Sequence, residues 1–180
     1  MFTRRLVVGL AAGALLLAAV TSTAFAQTTP AQTEGPYFKA SSPERTSLID
    51  AGVSGTPLVI TGRVLTLDGQ PVANALLDFW QADAGGNYDN SGYTLRGHQY
   101  TDDNGNYQLE TVVPGLYPGR TRHIHVKVQA PNGPVLTTQL YFPGEPANAR
   151  DGIFSPNLVL NLQQADQGAT ATFDFVVNTA

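Results

Sequence analysis

Two of the three histidines of the chain, His123 and His125, stand two residues apart in the segment "HIHVKV". Successive residues of a β-strand face opposite sides of the sheet, so a strand here points both imidazoles the same way. The alternate apolar residues of the strand, Ile124, Val126 and Val128, then face the other side. Two nitrogen donors side by side predict half of a metal site.

Two tyrosines in loops are candidates for the other half. Tyr88 lies in the glycine-rich stretch "WQADAGGNYDNSG", and Tyr117 lies at the corner "PGLYPGR", shortly before His123. Imidazole suits zinc, copper, iron and nickel, whereas a phenol, with an ordinary pKa of about 10, binds well only as phenolate. Two phenolates and two neutral histidines favour Fe³⁺ over Zn²⁺ or Cu²⁺. With one hydroxide, the phenolates balance the three positive charges, as a partly buried site requires.

Length and composition limit the remaining possibilities. The chain has 180 residues, a net charge of −4 and no cysteine. The length predicts one domain, and the absence of cysteine excludes disulfides, thiolate metal sites and cysteine nucleophiles. A mildly acidic chain without a basic cluster argues against binding to nucleic acid.

The first 26 residues have the pattern of a signal peptide. Arg4 and Arg5 precede an apolar run of about fifteen residues, and the small-residue pattern "AFA" follows. We therefore expect cleavage after Ala26, which leaves a mature chain that begins at Gln27 and has no membrane attachment. The mature chain is expected in the periplasm or the extracellular space. The paired arginines are compatible with the twin-arginine route as well as with the general secretory route.

The rest of the chain divides into an arm and a domain. Residues 27–56 are rich in Thr, Pro, Ser and Gly and predict an irregular amino-terminal arm that contributes to the site. Residues 57–180 contain short apolar runs such as "LVITGRVLT" and "VLTTQLYF", separated by turn signals. A loop is expected from Asp83 to Gly97, followed by a hairpin around Asn104-Gly105. This pattern predicts an all-β catalytic domain, an antiparallel β-sandwich of about seven to eight short strands with long loops.

The histidine and tyrosine segments resemble the intradiol ring-cleavage dioxygenases, the family of catechol 1,2-dioxygenase and protocatechuate 3,4-dioxygenase, and especially its short exported members. The resemblance runs from "QTEGPYF" through "VLTTQLYFPGEP", and its most specific parts are "YPGRTRHIHVKV" and "DFWQADAGGNYDN". It implies one Fe³⁺ per chain. The metal ligands that it implies are Tyr88, Tyr117, His123 and His125.

The resemblance also implies roles for residues around the metal. Arg120, three residues before the first histidine, matches the active-site arginine of the family, whereas Arg122 only flanks the ligand. His98 matches no ligand position, and we expect it in the surface loop. The positions that match substrate-binding residues of the family are Gly35, Pro36, Trp80, Gln139 and Tyr141.

The activity that the resemblance implies is cleavage of a catechol-type aromatic diol with O₂ to a cis,cis-muconate-type diacid, as part of aromatic compound catabolism. The partners are then the small-molecule diol and O₂, and the protein is a monomer or a homodimer. One alternative is a non-catalytic β-sandwich binding module. Another is a different His-x-His metalloprotein, but Gln129 with no nearby Glu argues against a cupin, and Gln27 in place of His argues against an amino-terminal copper site.

Overall fold

The computed structural model describes residues 27–179, which form nine β-strands and two short 3₁₀-helices. The strands are β1 (Pro57–Leu65), β2 (Leu76–Trp80), β3 (Arg96–Tyr100), β4 (Asn106–Val112), β5 (His123–Gln129), β6 (Val135–Tyr141), β7 (Asn161–Ala165), β8 (Gly168–Thr172) and β9 (Phe175–Val176). The 3₁₀-helices, Pro146–Ala149 and Pro156–Leu158, both lie between β6 and β7.

The strands form two sheets. The first has the order β4-β1-β8-β7, with β9 beside β1, and the second has the order β3-β2-β5-β6. All pairings are antiparallel except those of β1 with β8 and β9, which are parallel. The predicted β-sandwich is confirmed.

The strand count exceeds the predicted seven to eight partly because the segment "ATATFDFVV" forms two strands. The segment is interrupted at Phe173 and Asp174, where the Asp174 carboxylate accepts the backbone N–H of Arg63 at 2.8 Å. Gly62 permits the close approach, because a Cβ there would lie 1.8 Å from the carbonyl oxygen of Phe173. A side chain therefore takes the place of a ladder hydrogen bond at this point.

The predicted hairpin around Asn104-Gly105 is wrong. This turn, with Gly105 at φ +75°, leads from β3 in the second sheet to β4 in the first, so the two strands do not pair with each other. β3 itself begins inside the expected loop. Its sequence "RGHQY" has no β-branched residue, and its extended form comes from pairing with β2 along all five residues.

Apolar side chains from the inner faces of both sheets fill the core. Ile124, Val126 and Val128 of β5 are fully buried in it. The alternate residues of the same strand, including both histidines, therefore lie on the outer face of the second sheet.

The middle of the irregular segment 27–56 lies across this outer face, while Thr29 and Leu48 hydrogen-bond to strands of the first sheet. The Thr138 hydroxyl donates to the carbonyl of Pro30 at 2.7 Å, and the Gln139 amide donates to the carbonyl of Thr33 at 2.8 Å. Isolated bridges join Glu44 to β3 and Ser47 to β4. The predicted signal peptide lies outside the described residues. Within residues 27–179, no helix has both the length and the apolar character needed to cross a membrane.

Candidate metal centre

The two histidines at the start of β5 direct their ring nitrogens at one point. Their Nε2 atoms are 3.1 Å apart, and the side chains are almost completely buried. Nδ1 of His123 lies 2.6 Å from the carbonyl oxygen of Thr121 and donates to it, which leaves Nε2 free to bind a metal. The His125 ring stacks on Trp80, with centroids 4.8 Å apart. Two nitrogen ligands about 2 Å from one ion lie about 3 Å apart when their bonds are roughly perpendicular, so the pair fits a shared metal.

Tyr88 adds a third donor atom from the loop between β2 and β3. The Asp83 carboxylate organises this loop by accepting the backbone N–H groups of Gly85 at 2.8 Å and Asn87 at 2.9 Å. The Tyr88 hydroxyl then lies 3.3 Å from Nε2 of His123. One phenol oxygen and two imidazole nitrogens thus converge above the outer face of the second sheet.

Tyr117 lies at the corner after β4, and two glycines let this corner approach the Tyr88 loop. A Cβ at Gly86, which has φ +87°, would lie 2.3 Å from the carbonyl oxygen of Leu116. A Cβ at Gly115 would lie 2.4 Å from the backbone nitrogen of Gly86. Because both positions lack side chains, the ring of Tyr117 reaches within 5.8 Å of the ring of Tyr88.

A third tyrosine, Tyr37, comes from the arm and was not predicted. Its hydroxyl lies 2.7 Å from that of Tyr117, and its ring stacks on that of Tyr88 with centroids 4.4 Å apart. The pKa of Tyr37 is raised, mainly by this hydrogen bond with Tyr117 and to a lesser extent by desolvation. The sequence feature that could have indicated Tyr37 as a site residue is its position directly after Gly35 and Pro36, which were predicted to bind substrate.

Burial favours the neutral forms of His123, His125 and Tyr88 at pH 7 in the absence of a metal. It lowers the pKa of His123 to about 4 and lowers the pKa of His125 well below the usual value. Burial also raises the pKa of Tyr88 to about 12, while the positive charges of Arg120 and Arg96 oppose this rise. The imidazoles are therefore ready to bind a metal, and a strongly charged cation is needed to displace the phenol proton.

Arg120 lies beside the histidine pair and is held on two sides. Its Nε donates to the Asp151 carboxylate at 2.8 Å, and its Nη2 donates to the Gln139 side-chain oxygen at 2.7 Å. Gln139 and Tyr141 lie on β6, directly opposite the two histidines. Asp151 was not predicted, because nothing in the sequence links it to a residue 31 positions away.

The other residues predicted from the resemblance surround the donor cluster. A Cβ at Gly35, which has φ +71°, would lie 3.4 Å from a ring carbon of the second histidine, and Pro36 is exposed beside it. Trp80 is buried behind the same ring. The side chains of Gln139 and Tyr141 are fully buried, and both hydrogen-bond to the arginine. Contact with substrate stays a prediction for all five.

His98 does not lie in a surface loop as expected. It is the central residue of β3 and half-buried, and its Nδ1 lies 3.2 Å from the Ser42 hydroxyl. The arm covers this part of the sheet, because the backbone of His98 exchanges hydrogen bonds with Pro43 and Arg45. Among residues 27–179, no group of three or more His, Asp or Glu side chains is placed to hold a metal ion. A metal here therefore depends on the phenols.

Fold and site together define a β-sandwich protein in which two buried histidines and several half-buried tyrosines form a cluster suited to a transition metal. The Dioxygenase family model matches residues 33–179. The chain is similar to the dioxygenase domain of a dioxygenase carbohydrate-binding protein fusion from Streptomyces sp. SirexAA-E. The identity is 56% and the TM-score 0.83, with 86% of this chain and 100% of that chain covered. This chain therefore belongs to the intradiol ring-cleavage dioxygenase family.

Two further relatives agree with this placement. The structure of 3-chlorocatechol 1,2-dioxygenase from Rhodococcus opacus 1CP is 30% identical, with a TM-score of 0.77, and 83% of this chain and 72% of that chain are covered. Catechol 1,2-dioxygenase 2 from Acinetobacter lwoffii is 35% identical over 166 residues, which are 77% of this chain and 60% of that protein. The chain spans about half to two thirds of the length of such curated relatives.

Proposed function

We propose that this chain is a non-haem ferric dioxygenase that cleaves a catechol-type aromatic diol with O₂ to a cis,cis-muconate-type diacid. The observation that carries the proposal is the convergence of donors: two neutral Nε2 atoms 3.1 Å apart, with the Tyr88 hydroxyl 3.3 Å from one of them. The names of the relatives, which include catechol and chlorocatechol 1,2-dioxygenases, support the same chemistry.

The residues present fit one ferric ion. The ligands would be Tyr88, Tyr117, His123 and His125. When bound, Fe³⁺ supplies the Lewis acidity and the redox chemistry that make the diol ring reactive toward O₂. Carboxylates are absent from this donor set, and neutral imidazoles with ionisable phenols suit a trivalent ion better than Zn²⁺.

Tyr117 is suited to accept a proton from the substrate. A diol must lose its hydroxyl protons to bind as a dianion, and a phenolate oxygen is a base strong enough to take one of them. The hydroxyl of Tyr37, 2.7 Å from that of Tyr117, holds this oxygen in place in either protonation state, because each hydroxyl can donate or accept. Tyr88 remains in place by analogy with the family, and its ring is packed under Tyr37.

Arg120 would stabilise the negative charge that develops on the ring as it is attacked. Its guanidinium is fixed by Asp151 and Gln139 before the substrate arrives, so little reorganisation is needed during the reaction. The arm contributes by covering the outer face of the second sheet, which keeps water away from the histidine pair.

We propose further that the protein acts outside the cytoplasm, as a monomer or a homodimer, after cleavage that leaves Gln27 at the amino terminus. The basic, apolar and small-residue order of the first 26 residues supports this. Amino-terminal sequencing of exported material should begin near Gln27, and exported material that retains Met1 would contradict the proposal.

The test of the activity is to load the chain from Gln27 onward with Fe³⁺ and measure iron content, visible absorption and oxygen uptake. We expect about one iron per chain, a burgundy to red-brown colour, and oxygen uptake with at least one of catechol, protocatechuate and hydroxyquinol. A colourless, zinc-loaded protein with full activity would contradict the proposal. So would an iron-loaded protein that consumes no oxygen with any diol, which is the result expected of a non-catalytic module.

A further inference from the structure

A buried guanidinium lies behind the tyrosines. Arg96, the first residue of β3, is only 2% exposed. Its Nε and Nη2 donate to the carbonyl of Asp89 at 3.1 and 2.9 Å, and its Nη1 donates to the carbonyl of Tyr37 at 2.5 Å. It thus binds the backbone next to Tyr88 and the backbone of Tyr37, whose rings stack on each other.

In the part of the chain that the structure describes, no carboxylate contacts this charge directly. The ion pairs within residues 27–179 involve other cations. The Asp89 carboxylate accepts the backbone N–H groups of Ser91, Gly92 and Thr94, so it attracts the guanidinium through space and not through a direct bond. A buried charge without a directly bonded counter-charge is costly, and here the carboxylates of Asp89 and Asp78 attract the guanidinium only through space.

The ionisable group whose ring lies against the Arg96 guanidinium is Tyr88, and its ring centroid is 6.0 Å from the guanidinium carbon. While this phenol is neutral, it offers the guanidinium only the weak attraction of its aromatic face. Once the phenol is ionised, the pair has opposite charges in a poorly solvated region, where the attraction is several-fold stronger than in water.

We propose that Arg96 is a positioning residue that clamps the two stacked tyrosines and serves as the fixed positive partner of the Tyr88 phenolate. The inference rests on the proposed function, because it takes Tyr88 to be a ligand of a ferric ion. Its consequence is electronic. The visible band of a ferric phenolate moves electron density from the phenolate to the metal, and a cation over the phenolate ring stabilises the starting state more than the excited state. Arg96 therefore holds the band at higher energy.

The test compares variants of the mature chain loaded with Fe³⁺ at matched iron content. Arg96→Met and Arg96→Gln remove the charge, and we expect the visible band to move to longer wavelength in both. Arg96→Lys keeps the charge, and its band should stay near that of the parent. If the role of Arg96 were only structural, its replacement would change iron content or melting temperature. The band position would then not depend on whether residue 96 carries a positive charge.

Arg45 provides the matched control. It is a second, partly buried arginine in the same region, and it donates to the carbonyl of Arg96 at 2.9 and 2.6 Å and pairs with Asp50. Arg45→Met should lower the melting temperature and leave the band position unchanged, because the lost charge is already paired.

Equal band positions in the parent and Arg96→Met would overturn the inference. If Arg96→Met does not fold, the band positions of Arg96→Gln and Arg96→Lys are compared instead. Equal band positions in these two variants would also overturn the inference. A parent protein that binds Fe³⁺ without any visible band would instead contradict the proposed function of the site.

Discussion

Replacing Arg120 by alanine should affect catalysis and stability separately, because two of its interactions serve different ends. One is with the substrate ring in the proposed mechanism. The other is with Asp151, whose side chain is 2% exposed and accepts the guanidinium at 2.8 Å, while the arginine side chain is 20% exposed. An ion pair between exposed side chains contributes little to stability. Because the Asp151 carboxylate is buried, we expect the Arg120 ion pair to contribute more than that.

The loss of stability follows from what remains around Asp151. Its carboxylate still accepts the backbone N–H groups of Thr121 at 2.8 Å and Ile153 at 3.1 Å. Breaking a fully buried ion pair costs about 3–5 kcal/mol, whereas leaving one buried polar group partly unsatisfied costs about 1–3 kcal/mol. Because the arginine is partly exposed, we expect about 2 kcal/mol, which lowers Tm by roughly 4–8 °C for a domain of this size.

The loss of catalysis should be larger. Removing one preorganised donor that stabilises developing charge costs about 10²–10³ in rate. Arg120→Ala should therefore keep its iron and colour and lose at least about a hundredfold in kcat/KM for diol cleavage.

A double-mutant cycle separates the two effects. Asp151→Asn removes the buried charge, so the variant that combines it with Arg120→Ala should recover most of the lost stability. Its activity should remain as low as that of the single arginine variant. Arg122→Ala is the control, since this arginine pairs with Glu145 at 2.6 Å and should keep full activity. A double variant as unstable as Arg120→Ala would refute the stability argument, and an Arg120→Ala enzyme with the parent rate would refute the catalytic assignment.

Three other predictions concern colour, backbone packing and acid stability. Tyr88→Phe and Tyr117→Phe should each shift or weaken the visible band of the iron-loaded protein, while His98→Ala should leave it unchanged, because His98 lies on β3, two strands away from the histidine pair on β5. Gly86→Ala should lower both colour and iron content, because its Cβ would meet a backbone carbonyl at 2.3 Å and push the two tyrosine corners apart; a variant with parent iron content would refute this. Burial alone would raise the pKa of Asp151, but its hydrogen bonds and the nearby guanidinium outweigh it and hold the pKa below the ordinary value. The unfolded chain then binds more protons, so this stabilisation is present above about pH 4 and is lost as the pH falls further. Denaturation curves from pH 5 to 3 should show a smaller acid loss in Asp151→Asn.

The sequence by itself determined the local features of this protein. Alternation in "HIHVKV" predicted that both histidines share one face, and the structure places them there, with the alternate apolar residues of the strand in the core. The alternation is local, because the pleat of any strand produces it whichever strands pair beside it. Short segments whose spacing matches a family likewise predicted the four donor residues and Arg120, and the roles of these residues at a metal stay predictions.

Only the tertiary structure decided which distant groups support these residues. Tyr37 meets Tyr117 across 80 positions, Asp151 meets Arg120 across 31, and Arg96 reaches the carbonyl of Tyr37 across 59. In a sandwich, neighbours in space come from strand pairing and from loops that cross the sheet, and no period along the chain encodes them. The same reason explains β3, a strand by virtue of its pairing with β2, and His98, which that pairing carries out of the expected loop.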